Sequence, residues 1–286
     1  MYLLSREFWG KLGGVISAVF YIWAPYHAVD VYVRGAMNES WALVWFPLIL
    51  WAGYKFIKNT TRKAGKGKAV FDKWILILAL SWFALLTSHN LMVMIFAPVF
   101  AAWCLLWLWG EKAWNKIPSL VISGIWGVGL AAFFNIPVVV EQKLVQIDTL
   151  TKGYYEYVAH FATLNQLFLS RFWGYGASVW EEEDKMAFPI GYIHWGVAFV
   201  IAVLLLLRIL LRRKTDNKVL LIISLFLLSG FFASFMSHVR STPIWLAIPT
   251  LSIVQFPWRF LTLVVLSFSF ISGALILLLG GIVREK

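Results

Sequence analysis

The sequence predicts an all-α integral membrane protein, a polytopic bundle of about eight transmembrane helices forming a single domain over residues 1–286. The chain is 61% hydrophobic and only 14% charged, and its apolar runs reach the roughly 20 residues that cross a bilayer. Runs of this kind must be helical, because lipid offers no partners to backbone polar groups. The 17 Trp and 10 Tyr residues gather largely near the ends of the runs, where aromatic rings favour the membrane interface.

The predicted spans cover residues 10–26, 40–57, 73–88, 90–110, 117–138, 193–211, 217–236 and 258–282. The first span contains Gly13, Gly14 and Ser17, small residues that permit close approach of another helix. The longest stretch between spans is about 142–192, and we expect a long extracytoplasmic loop there, including an acidic run at 181–184 that is either solvated or cation-binding. Residues 243–257 are too few to span and predict a re-entrant or interfacial helix.

The distribution of charge predicts the topology. One side of the predicted bundle carries 18 of the 25 Lys and Arg residues and five acidic residues, for a net charge of +13. The other side carries seven basic and nine acidic residues, for a net charge of −2. The positive-inside rule therefore predicts a multi-pass protein of the cell membrane with both termini in the cytoplasm. The basic loop 55–73 is then expected to contact anionic membrane lipids, and no nucleic-acid partner is expected.

The histidines all fall on the predicted outer side, at His27, His89, His160, His194 and His238. Ionisable groups at membrane depth often mark a functional site, although each imidazole also suits the interface as an amphipathic group. We select His27, His89 and His194 as candidate substrate-binding residues. A zinc site is an alternative that no ligand spacing supports, and the single cysteine, Cys104, permits neither a disulfide nor a thiolate cluster within the chain.

The polar stretch 24–39, between the first two spans, is the main candidate site. Asp30 and Arg34 lie four residues apart, where opposite charges meet on one helix face, and Glu39 suits the start of the next helix. Asp30 and Glu39 are candidate catalytic carboxylates, or ligands of a divalent cation; capping and ion pairing are the structural alternative. Arg34 and Arg259, together with Arg171 and Arg240, are natural partners of a lipid phosphate.

The turn Thr87-Ser-His-Asn90 joins the third and fourth spans. Its hydrogen-bonding side chains either cap the helix ends or contact a site.

Several of these segments carry a resemblance. They are the segments 24–39 (APYHAVDVYVRGAMNE), 171–178 (RFWGYGAS), 186–195 (MAFPIGYIHW) and 255–261 (QFPWRFL), together with the hairpin 87–90 (TSHN). Together they resemble the membrane-protein family labelled 6-pyruvoyl-tetrahydropterin synthase-related. That family is similar to the C superfamily of membrane glycosyltransferases, which use polyprenyl-phosphate sugars at the outer face. The resemblance covers nearly the whole chain. No pterin synthase activity is expected, because the chain lacks a soluble domain and a clustered set of three histidines.

The resemblance also implies a missing part. In the glycosyltransferase superfamily the acidic catalytic motif lies in the first outer loop, upstream of the segment where this chain begins, so we expect the chain to lack that N-terminal catalytic region. The expected function is a glycosyltransferase-like role in cell-envelope glycan assembly, with a polyprenyl-phosphate sugar as donor. The alternative is a non-enzymatic lipid or polysaccharide transporter or assembly subunit, and the sequence leaves open whether the protein is an enzyme and whether it uses a metal.

Overall fold

A computed structural model describes residues 1–60, 72–144, 146, 149, 152–179, 185–211 and 216–283. Helices account for 83% of the described residues, and no strand forms among them. The all-α fold class is therefore confirmed. The acidic run 181–184 and most of the basic loop 55–73 lie outside the described residues.

The longer elements follow the predicted apolar runs. In chain order they are α1 (Tyr2–Ile22), α2 (Pro25–Ala28), a π-helix (Val29–Val33), α3 (Met37–Thr60), α4 (Lys73–Ser88), α5 (Asn90–Gly110), α6 (Ile117–Leu130), α7 (Ala132–Val140), α8 (Tyr192–Leu210), α9 (Asn217–Met236), α10 (Thr242–Ala247), α11 (Leu261–Ser272) and α12 (Leu275–Val283). Short 3-10 helices connect several of them.

Five helical segments of the described chain are long and apolar enough to cross a membrane: Met37–Lys58, Asn90–Gly110, Tyr192–Leu210, Asn217–Met236 and Pro257–Leu279. Two bent pairs, Tyr2–Ile22 with Pro25–Val33 (41°) and Trp114–Leu130 with Ala132–Leu144 (73°), raise the number to seven if each pair is one span. The remaining predicted span coincides with α4, whose 16 residues are fewer than the roughly 20 that cross a bilayer. Eight spans therefore stay a prediction.

The chain divides into two compact units. The first comprises residues 1–37 and 146–286, and the second comprises residues 38–145. In the first unit α11 is the central helix: it packs against α1, α8 and α9, and all of its residues are buried. A helix that is apolar on every side requires such a position.

The contact between α1 and α11 confirms the close approach predicted from the small residues of the first span. The Ser17 hydroxyl donates to the carbonyl of Phe270 at 2.9 Å, and the Trp9 indole N–H donates to the same oxygen at 2.8 Å. A Cβ atom at Gly273 would lie 2.3 Å from the carbonyl oxygen of Gly13. Only glycine fits at Gly273 without moving one of the two backbones.

The second unit is built from α3, α4, α5 and α6, with α4 packed closely on α6. The indole N–H of Trp103 donates to the carbonyl of Leu50 at 2.9 Å, and the buried ammonium of Lys116 donates to the carbonyls of Phe56 and Ile57. Lys116 therefore supplies donors to two carbonyls near the C-terminal end of α3.

The predicted loop 142–192 contains only short helical turns and isolated bridges where it is described, yet it packs on the segment that follows α9. His160 is fully buried: its Nδ1 lies 2.8 Å from the Ser178 hydroxyl, and its Nε2 contacts the carbonyl of Tyr154. The imidazole also packs edge-on against Phe256, with ring centroids 4.7 Å apart. The loop is thus held by buried polar and aromatic contacts.

The segment predicted as one re-entrant or interfacial helix, 243–257, forms two short helices, α10 and the 3-10 helix Pro249–Val254. His238 lies just before it, and its Nδ1 accepts the backbone N–H of Arg240 at 3.1 Å. Burial lowers the pKa of His238, and the positive charge of Arg240 lowers it further. The neutral imidazole is therefore the form that fits this turn.

These contacts predict a pH dependence of stability. Because the pKa of His238 is lower in the folded protein than its ordinary value of 6.5, the unfolded chain binds the proton more readily, and stability falls as the pH drops below about 6.5. In His238→Asn the amide oxygen can still accept the Arg240 N–H but does not titrate. We expect the melting temperature of wild-type protein to fall more between pH 8 and pH 5 than that of His238→Asn. Equal falls would contradict the assignment, since the two proteins differ only at residue 238.

Candidate functional site

The polar stretch after α1 folds into two short helices instead of an open loop. α1 ends at Ile22, and Pro25, which has no N–H to donate, begins α2. The π-helix Val29–Val33 follows, and the N–H of Arg34 bonds to the carbonyl of Val29. This turn places Asp30 and Arg34 on one face, and their side chains form the predicted ion pair.

The ion pair is buried unevenly. The Asp30 side chain is fully buried, whereas that of Arg34 is 12% exposed. The Arg34 guanidinium also donates to the hydroxyl of Tyr26 at 3.2 Å and lies 4.1 Å from the ring centroid of Trp258. Since only Arg34 reaches the surface of the pair, an anion from outside would meet Arg34 first.

Trp258 belongs to an aromatic pair that carries a second arginine. The rings of Phe256 and Trp258 are stacked with centroids 4.8 Å apart, and the guanidinium of Arg259 lies 4.9 Å from the Phe256 centroid. Arg34 and Arg259 therefore rest on different rings of one stack, so the structure brings these two predicted residues into one cluster. We refer to Tyr26, Asp30, Arg34, Phe256, Trp258 and Arg259 as the arginine–aromatic cluster.

A strained turn holds Arg259 in place. Gln255 has a φ of 64°, in the left-handed region that non-glycine residues rarely occupy, and the N–H of Phe256 bonds to the carbonyl of Val254 at 2.7 Å. This is a γ-turn with positive φ. The Arg259 guanidinium donates to the Val254 carbonyl at 2.6 Å and to the Gln255 side chain at 3.3 Å. Strained backbone of this kind clusters at functional sites and costs about 1–3 kcal/mol.

His27 and His194 lie beside this cluster. The His27 ring packs edge-on against Tyr21, with centroids 5.3 Å apart, and its buried Nε2 has no hydrogen-bond partner among the described residues. His194 is buried in α8, and its Nε2 donates to the carbonyl of Phe20 at 2.8 Å. His194 and Tyr26 line the same small cavity of about 10 Å³. His194 therefore joins α8 to the end of α1.

Glu39 and His89 belong to the second unit. Glu39 lies in the first turn of α3, as predicted, and one of its carboxylate oxygens is 3.9 Å from Nε2 of His89. The Glu39 side chain is fully buried and that of His89 is 14% exposed. The contact is an ion pair when the imidazole is protonated.

The other polar residues of the turn at 87–90 serve the helix end. The hydroxyls of Thr87 and Ser88 donate to carbonyls of α4 itself, and the indole N–H of Trp45 donates to Ser88 at 3.0 Å. Two roles were predicted as alternatives for this turn. Thr87 and Ser88 bond to carbonyls at the end of α4, whereas His89 contacts the candidate site residue Glu39.

The predicted site residues thus form two groups. Asp30, Arg34 and Arg259 belong to the arginine–aromatic cluster of the first unit. His27 follows Tyr26 of this cluster in the sequence, and His194 lines the same small cavity as Tyr26. Glu39 and His89 form a separate pair in the second unit. Among the residues that the structure describes, no three His, Cys, Asp or Glu side chains lie close enough together to hold a metal ion. The sequence analysis missed Tyr26, Phe256 and Trp258, although the aromatic segment 255–261 was the signal that contained two of them.

Comparison with known proteins identifies no relative. No protein-family model matches the chain, and neither a curated protein nor a solved structure matches it at a significant level.

Proposed function

We propose that this chain is a multi-pass membrane protein of the glycosyltransferase-like kind, with both termini in the cytoplasm, that binds a polyprenyl-phosphate sugar at the outer face during cell-envelope glycan assembly. The observation that carries the proposal is the arginine–aromatic cluster, in which Arg34 is held by Asp30 and by the ring of Trp258. The resemblance to the 6-pyruvoyl-tetrahydropterin synthase-related family supports the same assignment. The excess of basic residues on one side of the spans supports the orientation.

Each residue has a proposed role in the transfer. Arg34, the more exposed member of its ion pair, contacts the phosphate of the donor and neutralises the charge that develops as the sugar leaves. Asp30 holds Arg34 in position, and Arg259 adds a second positive charge on the same aromatic stack. Two carboxylates are candidates for removing the proton from the acceptor hydroxyl: Asp30 within this cluster, and Glu39 in its separate pair with His89 in the second unit.

The competing proposal is a non-enzymatic lipid or polysaccharide transporter or assembly subunit. One observation favours it: the charged groups of the cluster already bond within the chain, Asp30 with Arg34 and Arg259 with the carbonyl of Val254. Such a cluster could hold two segments together without chemistry. A transferase moves the sugar from the polyprenyl phosphate to an acceptor hydroxyl, whereas a transporter or assembly subunit leaves the covalent bonds of the sugar unchanged.

The transferase proposal predicts transfer of labelled sugar in membrane vesicles that contain the full chain and a lipid-linked acceptor. The donors are polyprenyl-phosphate mannose and polyprenyl-phosphate glucose, added outside right-side-out or inverted vesicles. Right-side-out vesicles should transfer the sugar, and inverted vesicles should not. Loss of the proposed base, by Asp30→Asn or by Glu39→Gln, should reduce the rate by about 100-fold or more. Arg34→Lys should reduce it because lysine lacks the planar fork that binds phosphate.

Glu156→Gln is the matched control for Glu39→Gln, because Glu156 is an exposed acidic residue outside the proposed machinery. It should transfer sugar at the wild-type rate. Movement of the intact donor across the bilayer, with no transfer, would replace the transferase proposal with the transporter. Wild-type transfer by Glu39→Gln at wild-type expression would remove Glu39 from the mechanism.

A further inference from the structure

An open groove of about 430 Å³ lies between the end of α1 and the start of α8, within the first unit. Its lining is mostly apolar and includes Val19, Trp23, Pro25 and Ile193. Trp23 is 79% exposed and Ile193 is 69% exposed, so the groove is not covered by any other described part of the chain. Its volume lies within the roughly 300–1,000 Å³ typical of ligand sites.

The imidazole inside the groove is engaged by the chain. His194, which lines the groove, donates through Nε2 to the carbonyl of Phe20, another lining residue. This bond joins the two walls, because Phe20 belongs to α1 and His194 to α8. The groove therefore presents hydrocarbon and aromatic surface with a fixed width at this point.

A positive charge lies at the edge of the groove. The guanidinium of Arg171 lies 5.5 Å from the ring centroid of Tyr192, which lines the groove. The Tyr192 hydroxyl donates to the carbonyl of Leu169, so this ring is fixed to the segment that carries Arg171. Arg171 is exposed, and in the described part of the chain it has no carboxylate partner. It is thus available to an anion that approaches along the groove.

We propose that this groove binds one acyl chain of an anionic glycerophospholipid, with the lipid phosphate paired to Arg171. The apolar lining suits a hydrocarbon chain, the exposed Trp23 is of the residue type that favours the membrane interface, and the guanidinium supplies the complementary charge for the phosphate. The groove is open at the ends of two apolar helices, α1 and α8, so a bilayer lipid can enter it laterally. The site goes beyond the proposed sugar transfer, because it requires neither a sugar nor the arginine–aromatic cluster.

Photo-crosslinking tests this site directly. The full chain is placed in phosphatidylcholine nanodiscs that contain a small fraction of phosphatidylglycerol with a photoreactive group on one acyl chain, and the crosslinked peptides are mapped. Crosslinks should concentrate at residues 19–25 and 191–194, and phosphatidylcholine with the same reactive chain should label these residues less. Arg171→Gln should lower the phosphatidylglycerol labelling by about fivefold, as expected for the loss of one cation near a membrane surface.

Matched variants separate the groove from the general lipid-facing surface. Arg6→Gln removes another exposed arginine, which also lies over a tyrosine ring (Tyr2) but does not line the groove, and it should label like wild type. Ile193→Trp fills the groove and should abolish the labelling, whereas Leu228→Trp, at an equally exposed position on α9, should not. Size-exclusion profiles identify any variant that fails to fold. Equal labelling by the two lipids, or equal losses in Arg171→Gln and Arg6→Gln, would show an ordinary lipid-coated surface and overturn the proposal.

Discussion

Replacement of Asp30 by alanine is expected to lower the free energy of unfolding by about 3–5 kcal/mol, the loss typical of removing one member of a buried ion pair. Asp30 is fully buried and Arg34 nearly so, at 12% exposed. Without the carboxylate the guanidinium loses its ionic partner, while its contacts with the Tyr26 hydroxyl and the Trp258 ring remain. Equilibrium unfolding in mixed micelles measures the loss.

A double-mutant cycle distinguishes the ion pair from general packing. Arg34→Met should be destabilising for the converse reason, because it leaves the buried Asp30 carboxylate without the guanidinium. The double variant Asp30→Ala/Arg34→Met should lose less stability than the sum of the two single variants, since it removes both charges together. Additive losses would show that the two side chains act independently, contrary to the observed ion pair.

The sequence predicted this pair because both residues lie within one helical turn. Their four-residue spacing fixes the contact locally, whatever the rest of the chain does. The same holds for Glu39 at the start of α3, and for the apolar runs that became α5, α8 and α9. Each of these features depends on the spacing and composition of a short segment, and both can be read from a single sequence.

The sequence could not predict the partners that come from far along the chain. Trp258 lies over Arg34 only because the γ-turn at Gln255 redirects the backbone, and no local pattern indicates a positive φ at glutamine. The histidines show the same limit. They were treated as one group on one face, yet His160 binds Ser178, His194 binds the Phe20 carbonyl and His89 lies beside Glu39.

The largest packing effect is expected at Gly273. A Cβ atom there would lie 2.3 Å from the Gly13 carbonyl oxygen and 2.6 Å from the Ser17 hydroxyl. Both neighbours belong to α1, and the nearer one is backbone, so α1 and α11 would have to move apart. That movement would also lengthen the bonds that Ser17 and Trp9 donate to the Phe270 carbonyl. We expect Gly273→Ala to cost about 3 kcal/mol, at the upper end of overpacking effects.

Two further variants isolate the steric cause. Gly196→Ala, on α8, adds its methyl group where nothing lies within 4 Å, and it should be neutral or stabilise by up to about 1 kcal/mol through helix propensity. Ser17→Ala removes one of the hydrogen bonds and keeps the close approach, so it should cost only about 1 kcal/mol. The loss in free energy of unfolding should therefore be largest for Gly273→Ala, smaller for Ser17→Ala and absent for Gly196→Ala. A Gly273→Ala protein as stable as wild type would mean that α1 and α11 are not in contact at Gly13.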